Sequence, residues 1–356
     1  LFWATWAEEQ LDGVRGGGKT RVYQGLSSQA QWLDSTSRLA WYYLGQGDGS
    51  PPRGNEFSII TSEYRMPLVV MDIALDTQGR GNYEITQRRM GLAQDGYYTP
   101  PGYRLRTDFG GILRYSYCTP DFIVGTLMCE ARPLEDWTMI SSQNRWHGVI
   151  FSGHPNARLY VQCRADKVEK TYNQQWSLQK KGTLITQKLA SEKYSDAPDE
   201  MRVWFANSGL NNRRERGRWV FVEAPDAYAA VCPVAGGYRL EKASGRAGGD
   251  WLCCENRLNP VIVEVACKSQ FADYQSFQDE ILASEIQFDN QKLAYDGLEG
   301  DRFTFYADYS QLPEINGQAI DYAPEQVFNS PFIQSVWNSG VVTIRKDQRK
   351  RTLDFN

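Results

Sequence analysis

A series of short segments in which apolar and polar residues alternate constrains this chain more than any other sequence feature. A period of two is typical of strands that bury one face against a core. The segments cover residues 83–89, 112–117, 122–128, 158–163, 176–180, 183–189, 201–205, 219–223, 227–234, 261–266, 302–306 and 341–345. Because turn residues separate many of them at short intervals, the sequence predicts an antiparallel β-sandwich.

The first part of the chain has helical spacing instead. Aromatic residues at near-helical intervals predict a helix over residues 1–12, and an apolar face predicts another over residues 28–45. Residues 65–74 predict a third helix, because a first helical turn tolerates Pro67.

The chain is therefore expected to have two parts. Residues 1–80 form a helical segment, and residues 81–356 form an antiparallel sandwich domain with one late helix over residues 274–283. The segment before Ala7 resembles the interior of a helix, with neither Met nor a cap ahead of it. We therefore expect this chain to be the C-terminal part of a longer protein.

The composition excludes some partners. The net charge is −4 and the pI about 5.5, whereas general nucleic-acid binders carry a basic excess. The most basic run, residues 211–218, is expected to be a solvated loop. No apolar run is long enough to span a bilayer, so no membrane partner is expected. Aromatic residues make up 13% of the chain, which suits sugar rings but also suits pleated sheets.

The cysteines indicate neither a disulfide framework nor a metal site. The seven are Cys118, Cys129, Cys163, Cys232, Cys253, Cys254 and Cys267. None belongs to a Cys-x-x-Cys pair, and most lie inside apolar strand patterns, so we expect small buried side chains. No group of residues has zinc spacing, and neither a metal nor a cofactor is expected.

Both histidines of the chain, His147 and His154, lie in residues 143–155. Histidine is the side chain whose ordinary pKa lies nearest neutral pH, so acid–base chemistry of that kind has few possible locations here. On a strand, His147 faces the same side as Val149 and Phe151, which favours a core position. The Ser-Gly-His-Pro turn lifts His154 out of the strand, which makes it the better catalytic candidate, although a loop histidine can also cap backbone.

A glycine-rich basic loop over residues 13–23 is the second candidate site. Residues 13–20 satisfy the spacing of a phosphate-binding loop, but such a loop follows a buried strand, and here a Trp-rich helix precedes it. We expect the loop to present Lys19, Arg21 and Tyr23 to an anionic or polyhydroxyl ligand, or to connect two helices flexibly.

The order of helices and strands resembles a known architecture. The stretches that carry the likeness are residues 17–23, 117–122, 143–147, 154–155, 260–265 and 271–283. Together they resemble the C-terminal part of toroid-plus-β-sandwich polysaccharide-active enzymes, the heparinase II/III-like and chondroitin-lyase-like proteins. The resemblance implies a mainly-β fold with an N-terminal helical segment, in which the antiparallel β-sandwich follows the end of an (α/α) toroid.

The resemblance also implies a function, cleavage of an acidic, uronate-containing polysaccharide by β-elimination. In such lyases a His or Tyr removes the proton α to the carboxyl group, and donors stabilise the enolate that forms. By residue type, the catalytic candidates are His154, His147, Tyr23 and Asn144. The substrate-binding candidates are Lys19, Arg21, Trp146, Arg145 and Gln143.

Two alternatives remain beside the lyase, a glycoside hydrolase on the same scaffold and a non-catalytic carbohydrate-binding or assembly module. Most of the toroid is absent from this chain. We therefore expect the partner to be an upstream helical part of the same protein or a second copy of this chain. A polysaccharide substrate favours an extracellular or periplasmic location.

Overall fold

The computed structural model describes residues 1–9, 63, 65–76, 79–88, 112–129, 147–154, 157–164, 175–188, 200–242, 248–255 and 260–356. Of these residues, 54% lie in strands and 11% in α-helices. The predicted mainly-β class with antiparallel sheets and an N-terminal helix is therefore confirmed. The predicted helix over residues 28–45 lies outside the described residues.

The described elements are three α-helices and 23 strands. The helices are α1 (Phe2–Ala7), α2 (Leu68–Leu75) and α3 (Tyr274–Ala283). The strands are β1 (Tyr83–Arg88), β2 (Ile112–Cys118), β3 (Phe122–Cys129), β4 (Gly148–Phe151), β5 (Arg158–Arg164), β6 (Gln175–Lys180), β7 (Thr183–Lys188), β8 (Glu200–Ala206), β9 (Asn211–Arg216), β10 (Trp219–Glu223), β11 (Ala227–Pro233), β12 (Tyr238–Lys242), β13 (Gly249–Cys254), β14 (Val261–Cys267), β15 (Ile286–Phe288), β16 (Lys292–Asp296), β17 (Arg302–Tyr306), β18 (Glu314–Ile315), β19 (Gln318–Ala319), β20 (Gln326–Asn329), β21 (Ile333–Val336), β22 (Val341–Lys346) and β23 (Arg349–Asp354).

The described strands form three antiparallel sheets. The largest has 12 strands in the order β12-β13-β8-β5-β4-β3-β2-β1-β20-β21-β22-β23. The second has six, β6-β7-β14-β11-β10-β9, and the third has five, β15-β16-β17-β18-β19. In the largest sheet β1 pairs with β2 on one side and with β20 on the other, so that the last four strands extend the sheet beyond β1.

The six-stranded sheet packs between the other two, as the alternation along β6 demonstrates. The Trp176 ring packs against Phe305 of β17 in the five-stranded sheet. The next residue points the opposite way, and Ser177 bonds His147 beside the 12-stranded sheet. Gln179, two residues on, donates to the Val124 carbonyl of β3. The predicted sandwich is thus extended by a third layer.

One hydrophobic cluster runs through these layers. It includes Trp176, Phe221, Phe277, Phe303 and Phe305, whose side chains are at most 1% exposed. Burial of each such side chain contributes about 1.5–3 kcal/mol. Helix α3 joins this core through Phe277, and its N-terminus is capped by Asp273, which accepts from the Ser276 N–H at 2.7 Å.

Helices α1 and α2 cover the other side of the 12-stranded sheet, which we call its outer face. A second cluster joins helical residues such as Ala4 and Ile73 to Ile85 of β1 and Ile344 of β22. The chain changes from helix to strand between Leu75 and Tyr83, near the predicted boundary, and both parts contribute to this core.

Salt bridges tie α2 to the last hairpin of the sheet. Lys346 lies 2.7 Å from Asp76, and Arg349 lies 2.6 Å from Asp72. The hydrogen bond from Lys346 holds the pKa of Asp76 below its ordinary value. These contacts fix the orientation of the helix on the outer face, although exposed pairs of this kind contribute little stability.

A buried polar network continues from the end of α1. Glu8 and Glu9 are fully buried, and Arg114 of β2 forms a salt bridge with Glu9. Glu8 accepts a hydrogen bond from the hydroxyl of Ser330 at 2.5 Å. Gln87 of β1 completes the network, since it accepts from Arg114 at 3.0 Å. Burial of these carboxylates would be costly without such partners.

The Glu264 carboxyl group is buried between the six-stranded and five-stranded sheets. Glu264 of β14 is 0% exposed and accepts from the Thr183 hydroxyl at 3.0 Å. Burial raises its pKa to about 8, although Tyr295, Thr183 and the Leu298 N–H lower it in part. At neutral pH the group is therefore mainly protonated, as expected for an acid in an apolar interface.

The prediction for residues 211–218 is wrong in one respect. Asn211–Arg216 is the edge strand β9 and not a loop, although it is solvated as expected. Both of its faces meet solvent, so the alternation that signals a strand is missing from its sequence.

Five cysteines have described side chains, and all are buried free thiols. They are Cys118, Cys232, Cys253, Cys254 and Cys267. Burial raises the pKa of Cys232 to about 12. The expectation of small buried side chains is confirmed for these five.

Candidate functional site

His147 lies inside the sandwich, where it connects two sheets. It precedes β4 and is 2% exposed. Its Nδ1 lies 2.6 Å from the Thr126 hydroxyl of β3 and 2.9 Å from the Ser177 hydroxyl of β6. Val149 and Phe151, on the same side of the strand, belong to the main core as the alternation predicted. The environment of His147 is that of a hydrogen-bonded core residue.

His154 lies in the turn between β4 and β5 and is only partly buried. Its N–H donates to the Ser152 carbonyl at 2.9 Å, and its carbonyl accepts from Ala157 at 3.2 Å. The imidazole packs against Gly209, where an added Cβ would lie 2.6 Å from His154 Nδ1. Gly209 also has a φ of +81°, so a glycine is needed at this contact.

Two acidic residues lie close to the His154 turn. The Ser152 hydroxyl donates to Asp226 at 3.2 Å, and the Ser152 N–H donates to the Asp121 carbonyl at 2.8 Å. Burial raises the pKa of Asp121, and the neighbouring Asp226 raises it further. The fold thus brings together residues 119–121 and 152–154, two stretches that sequence reasoning had singled out separately.

The other predicted site residues lie outside the described residues. These are Lys19, Arg21, Tyr23, Gln143, Asn144, Arg145 and Trp146. Their assignment to catalysis or substrate binding stays a prediction.

A polar cleft of about 980 Å³ lies on the inner face of the 12-stranded sheet, opposite α1 and α2. Its floor contains Thr86, Tyr115, Asn329 and Gln334. The hairpin of β18 and β19 forms the facing wall, with lining residues that include Asn316, Gln318, Ile320 and Asp321. Amide, hydroxyl and phenol groups alternate with a few apolar side chains, which is the chemistry that recognises a sugar.

A hydrogen-bonded group of three side chains closes one end of the cleft. Glu84 accepts from the Tyr115 hydroxyl at 2.6 Å and from Lys180 Nζ at 2.6 Å. The Tyr115 hydroxyl in turn accepts from the Lys181 N–H at 2.8 Å. Burial raises the pKa of Tyr115, and the Glu84 carboxylate raises it further, so the phenol stays protonated and its one O–H is donated to Glu84.

Polar contacts lead from this end of the cleft toward the His154 turn. Lys181 Nζ lies 3.3 Å from Glu299, which accepts from the Tyr117 hydroxyl at 3.4 Å. Burial, together with the hydrogen bond and charge of Asp121, raises the pKa of Cys267 to about 12. Both Tyr117 and Asp121 thus lie near Cys267, so the cleft and the His154 turn are connected along one side of the sandwich.

Sequence reasoning missed the cleft residues. Thr86 and Asn329 are cross-strand partners in β1 and β20, far apart along the chain, and no local motif joins them. The Asn316-Gly317 pair was a readable signal for the hairpin above the cleft, because Asn-Gly favours tight turns with positive φ.

The described part of the chain contains no group of three or more His, Cys, Asp and Glu side chains placed to hold a metal ion. Across the same residues, none of the helices has both the length and the apolar composition required to cross a bilayer.

The chain matches no protein-family model and has no significant match among curated proteins.

Proposed function

We propose that this chain is part of a polysaccharide-active protein that holds an acidic glycan in the cleft and cleaves it by β-elimination. The observation that supports the proposal best is the polar cleft, whose end is closed by Glu84, Tyr115 and Lys180. Lys180 supplies a cation, and the amide side chains that line the cleft supply neutral donors. Both suit the carboxyl and hydroxyl groups of a uronate.

His154 does not line the cleft, so in the proposed reaction the polymer extends past the cleft to the turn between β4 and β5, where His154 is the base. The C–H bond α to the uronate carboxyl group breaks and its proton passes to the imidazole, while the developing enolate is held by donors. A carbon–carbon double bond then forms as the glycosidic C–O bond breaks, and the leaving oxygen takes up a proton. His147 has no such role, because it is 2% exposed and bonded to two hydroxyl groups.

A non-catalytic carbohydrate-binding module is the second candidate. The burial of His147 favours it, since one of the two histidines is thereby removed from contact with a polymer.

Replacement of His154 by alanine should lower the rate of cleavage about 100-fold, the usual contribution of a positioned general base. The measurement is the ultraviolet absorbance of unsaturated uronate, with polygalacturonate, alginate, hyaluronan and heparin as substrates. Lys180→Gln serves as the comparison, because loss of the cation that the proposal places on the uronate carboxylate should raise KM more than it lowers kcat.

Three results would contradict the lyase. New reducing ends without ultraviolet absorbance would indicate a hydrolase, and binding without product would indicate a binding module. Equal activity of His154→Ala and the unchanged protein would exclude His154 as the base.

A further inference from the structure

A row of polar side chains leaves the cleft and crosses the inner face of the 12-stranded sheet. Cross-strand pairing places its members side by side on successive strands from β2 to β23. The row consists of Tyr115, Thr86, Asn329, Gln334, Thr343 and Thr352. We call it the polar row.

The polar row is continuous with the cleft at one end and open to solvent at the other. Its first four members are lining residues of the cleft. Thr343 is partly buried and Thr352 is exposed, beyond the hairpin that covers the cleft. Their neighbours Val342 and Ile344 point to the outer face, into the core beneath α2.

The dimensions of the polar row suit an extended polymer. Adjacent strands lie about 4.8 Å apart, so five spacings from β2 to β23 give a row about 24 Å long. A pyranose ring in an extended glycan has about the length of one strand spacing. Each successive sugar can therefore meet the amide or hydroxyl group of the next strand.

Two cations lie beside the open end of the polar row. Arg345 and Lys350 are exposed cross-strand partners on the same face as Thr343 and Thr352. The carboxylate on this face of β23, Asp354, lies at the other end of the strand from Lys350. On the opposite face Lys346 and Arg349 form ion pairs with Asp76, which caps α2, and with Asp72. Arg351 is exposed on that face as well. Positive charge next to a polar row is complementary to a chain that carries carboxylates.

We propose that the polar row is a binding surface for an acidic polysaccharide that extends the cleft, with Arg345 and Lys350 contacting its carboxylates. The inference rests on the proposed function, since it takes the cleft as a glycan site. It adds that the protein recognises a chain of several sugars and that its affinity increases with polymer length. A neutral glycan would gain only the contacts of the polar row itself.

The test compares two lysines on the opposite edge strands of one sheet. Lys350→Glu changes an exposed residue of β23, and Lys242→Glu makes the same change at an exposed residue of β12. Binding of the intact chain to polygalacturonate, alginate and dextran is measured by calorimetry. Lys350→Glu should weaken binding of the preferred uronate polymer about tenfold. Lys242→Glu should bind the same polymer with the affinity of the unchanged protein.

A second variant keeps the test independent of charge. Gln334→Leu preserves side-chain volume and removes the amide, so it should weaken binding of an octasaccharide more than binding of a disaccharide. Urea midpoints of all variants confirm that they are folded.

The outcomes separate this inference from the proposed function. If Lys350→Glu loses binding and the unchanged protein shows no turnover, the polar row is supported as a binding surface and the lyase is refuted. Turnover together with equal binding by Lys350→Glu and Lys242→Glu would refute the polar row alone. If single-stranded DNA binds as tightly as the polymer, and Lys350→Glu weakens both interactions equally, the polysaccharide is refuted as the ligand. Failure of the unchanged protein to bind either uronate polymer would refute it as well.

Discussion

Replacement of Glu264 by glutamine should remove a large pH dependence from the stability of this protein. Glu264 is 0% exposed, and burial raises its pKa from 4.5 to about 8. Each pH unit of difference is worth about 1.4 kcal/mol, so the full effect is about 5 kcal/mol. This is a substantial share of the stability of an ordinary domain.

The sign follows from which state binds the proton more tightly. Between pH 4.5 and about 8, the folded protein keeps the proton on Glu264, whereas the unfolded chain releases it. The stabilisation is therefore complete below pH 4.5, declines as the pH rises, and is lost above about pH 8. Glutamine is uncharged like the protonated acid, so its contribution to the free energy of unfolding does not change with pH.

Urea unfolding between about pH 5 and about pH 9 measures this difference. We expect Glu264→Gln to match the unchanged protein at the acid end and to exceed its stability by several kcal/mol at the alkaline end. Glu280→Gln, an exposed position on α3, is the matched control and should follow the unchanged protein throughout. Parallel pH profiles for the protein and Glu264→Gln would contradict the prediction.

Replacement of His147 by alanine should cost about 3 kcal/mol of stability. The change leaves a cavity between two sheets and removes a hydrogen-bond partner from both Thr126 and Ser177. The urea midpoint of the chain measures the loss.

His154→Ala is the natural comparison, because the same change at a partly buried turn residue should shift stability by less than about 1 kcal/mol. His147→Asn should recover part of the loss, since its amide can bond one of the two hydroxyl groups. Equal losses at the two histidines would show that His147 does not connect the sheets.

The sequence carried enough information to predict most central strands and helix α3. Val261–Cys267 is a run of β-branched residues, and Tyr274–Ala283 has a clear apolar face after an Asp cap. Even the buried acid had a local signal, because Glu264 interrupts an otherwise apolar strand. Ile262 and Ala266, which share its face of the strand, are apolar, and this indicated burial of the carboxyl group.

Short and edge strands were harder to predict, for a physical reason. Glu314–Ile315 and Gln318–Ala319 have two residues each, too few to show any period. Asn211–Arg216 has no buried face at all. The pattern that identifies a strand comes from burial, so strands with little burial leave little trace in the sequence.

The candidate site was the least predictable part. His147 and His154 were found because histidine is rare in this chain, and alternation assigned His147 to the core. The cleft residues are ordinary amides, hydroxyls and a Lys-Glu pair, and only strand pairing over long separations assembles them. Composition cannot convey which of many such residues share a surface.

The bond between Glu8 and Ser330 has a consequence for synthesis in the cell. Its two residues are 322 positions apart, and at about 5 to 20 residues per second the ribosome needs about 15 to 65 s to make that length. During this interval the carboxyl group of Glu8 lacks that native partner. Ile73 and Ile85 likewise lack two residues of their hydrophobic cluster, Ile333 and Ile344, which have not yet been synthesised. Nascent chains are therefore expected to expose apolar surface for tens of seconds, and expression should benefit from chaperones and from slow growth at low temperature.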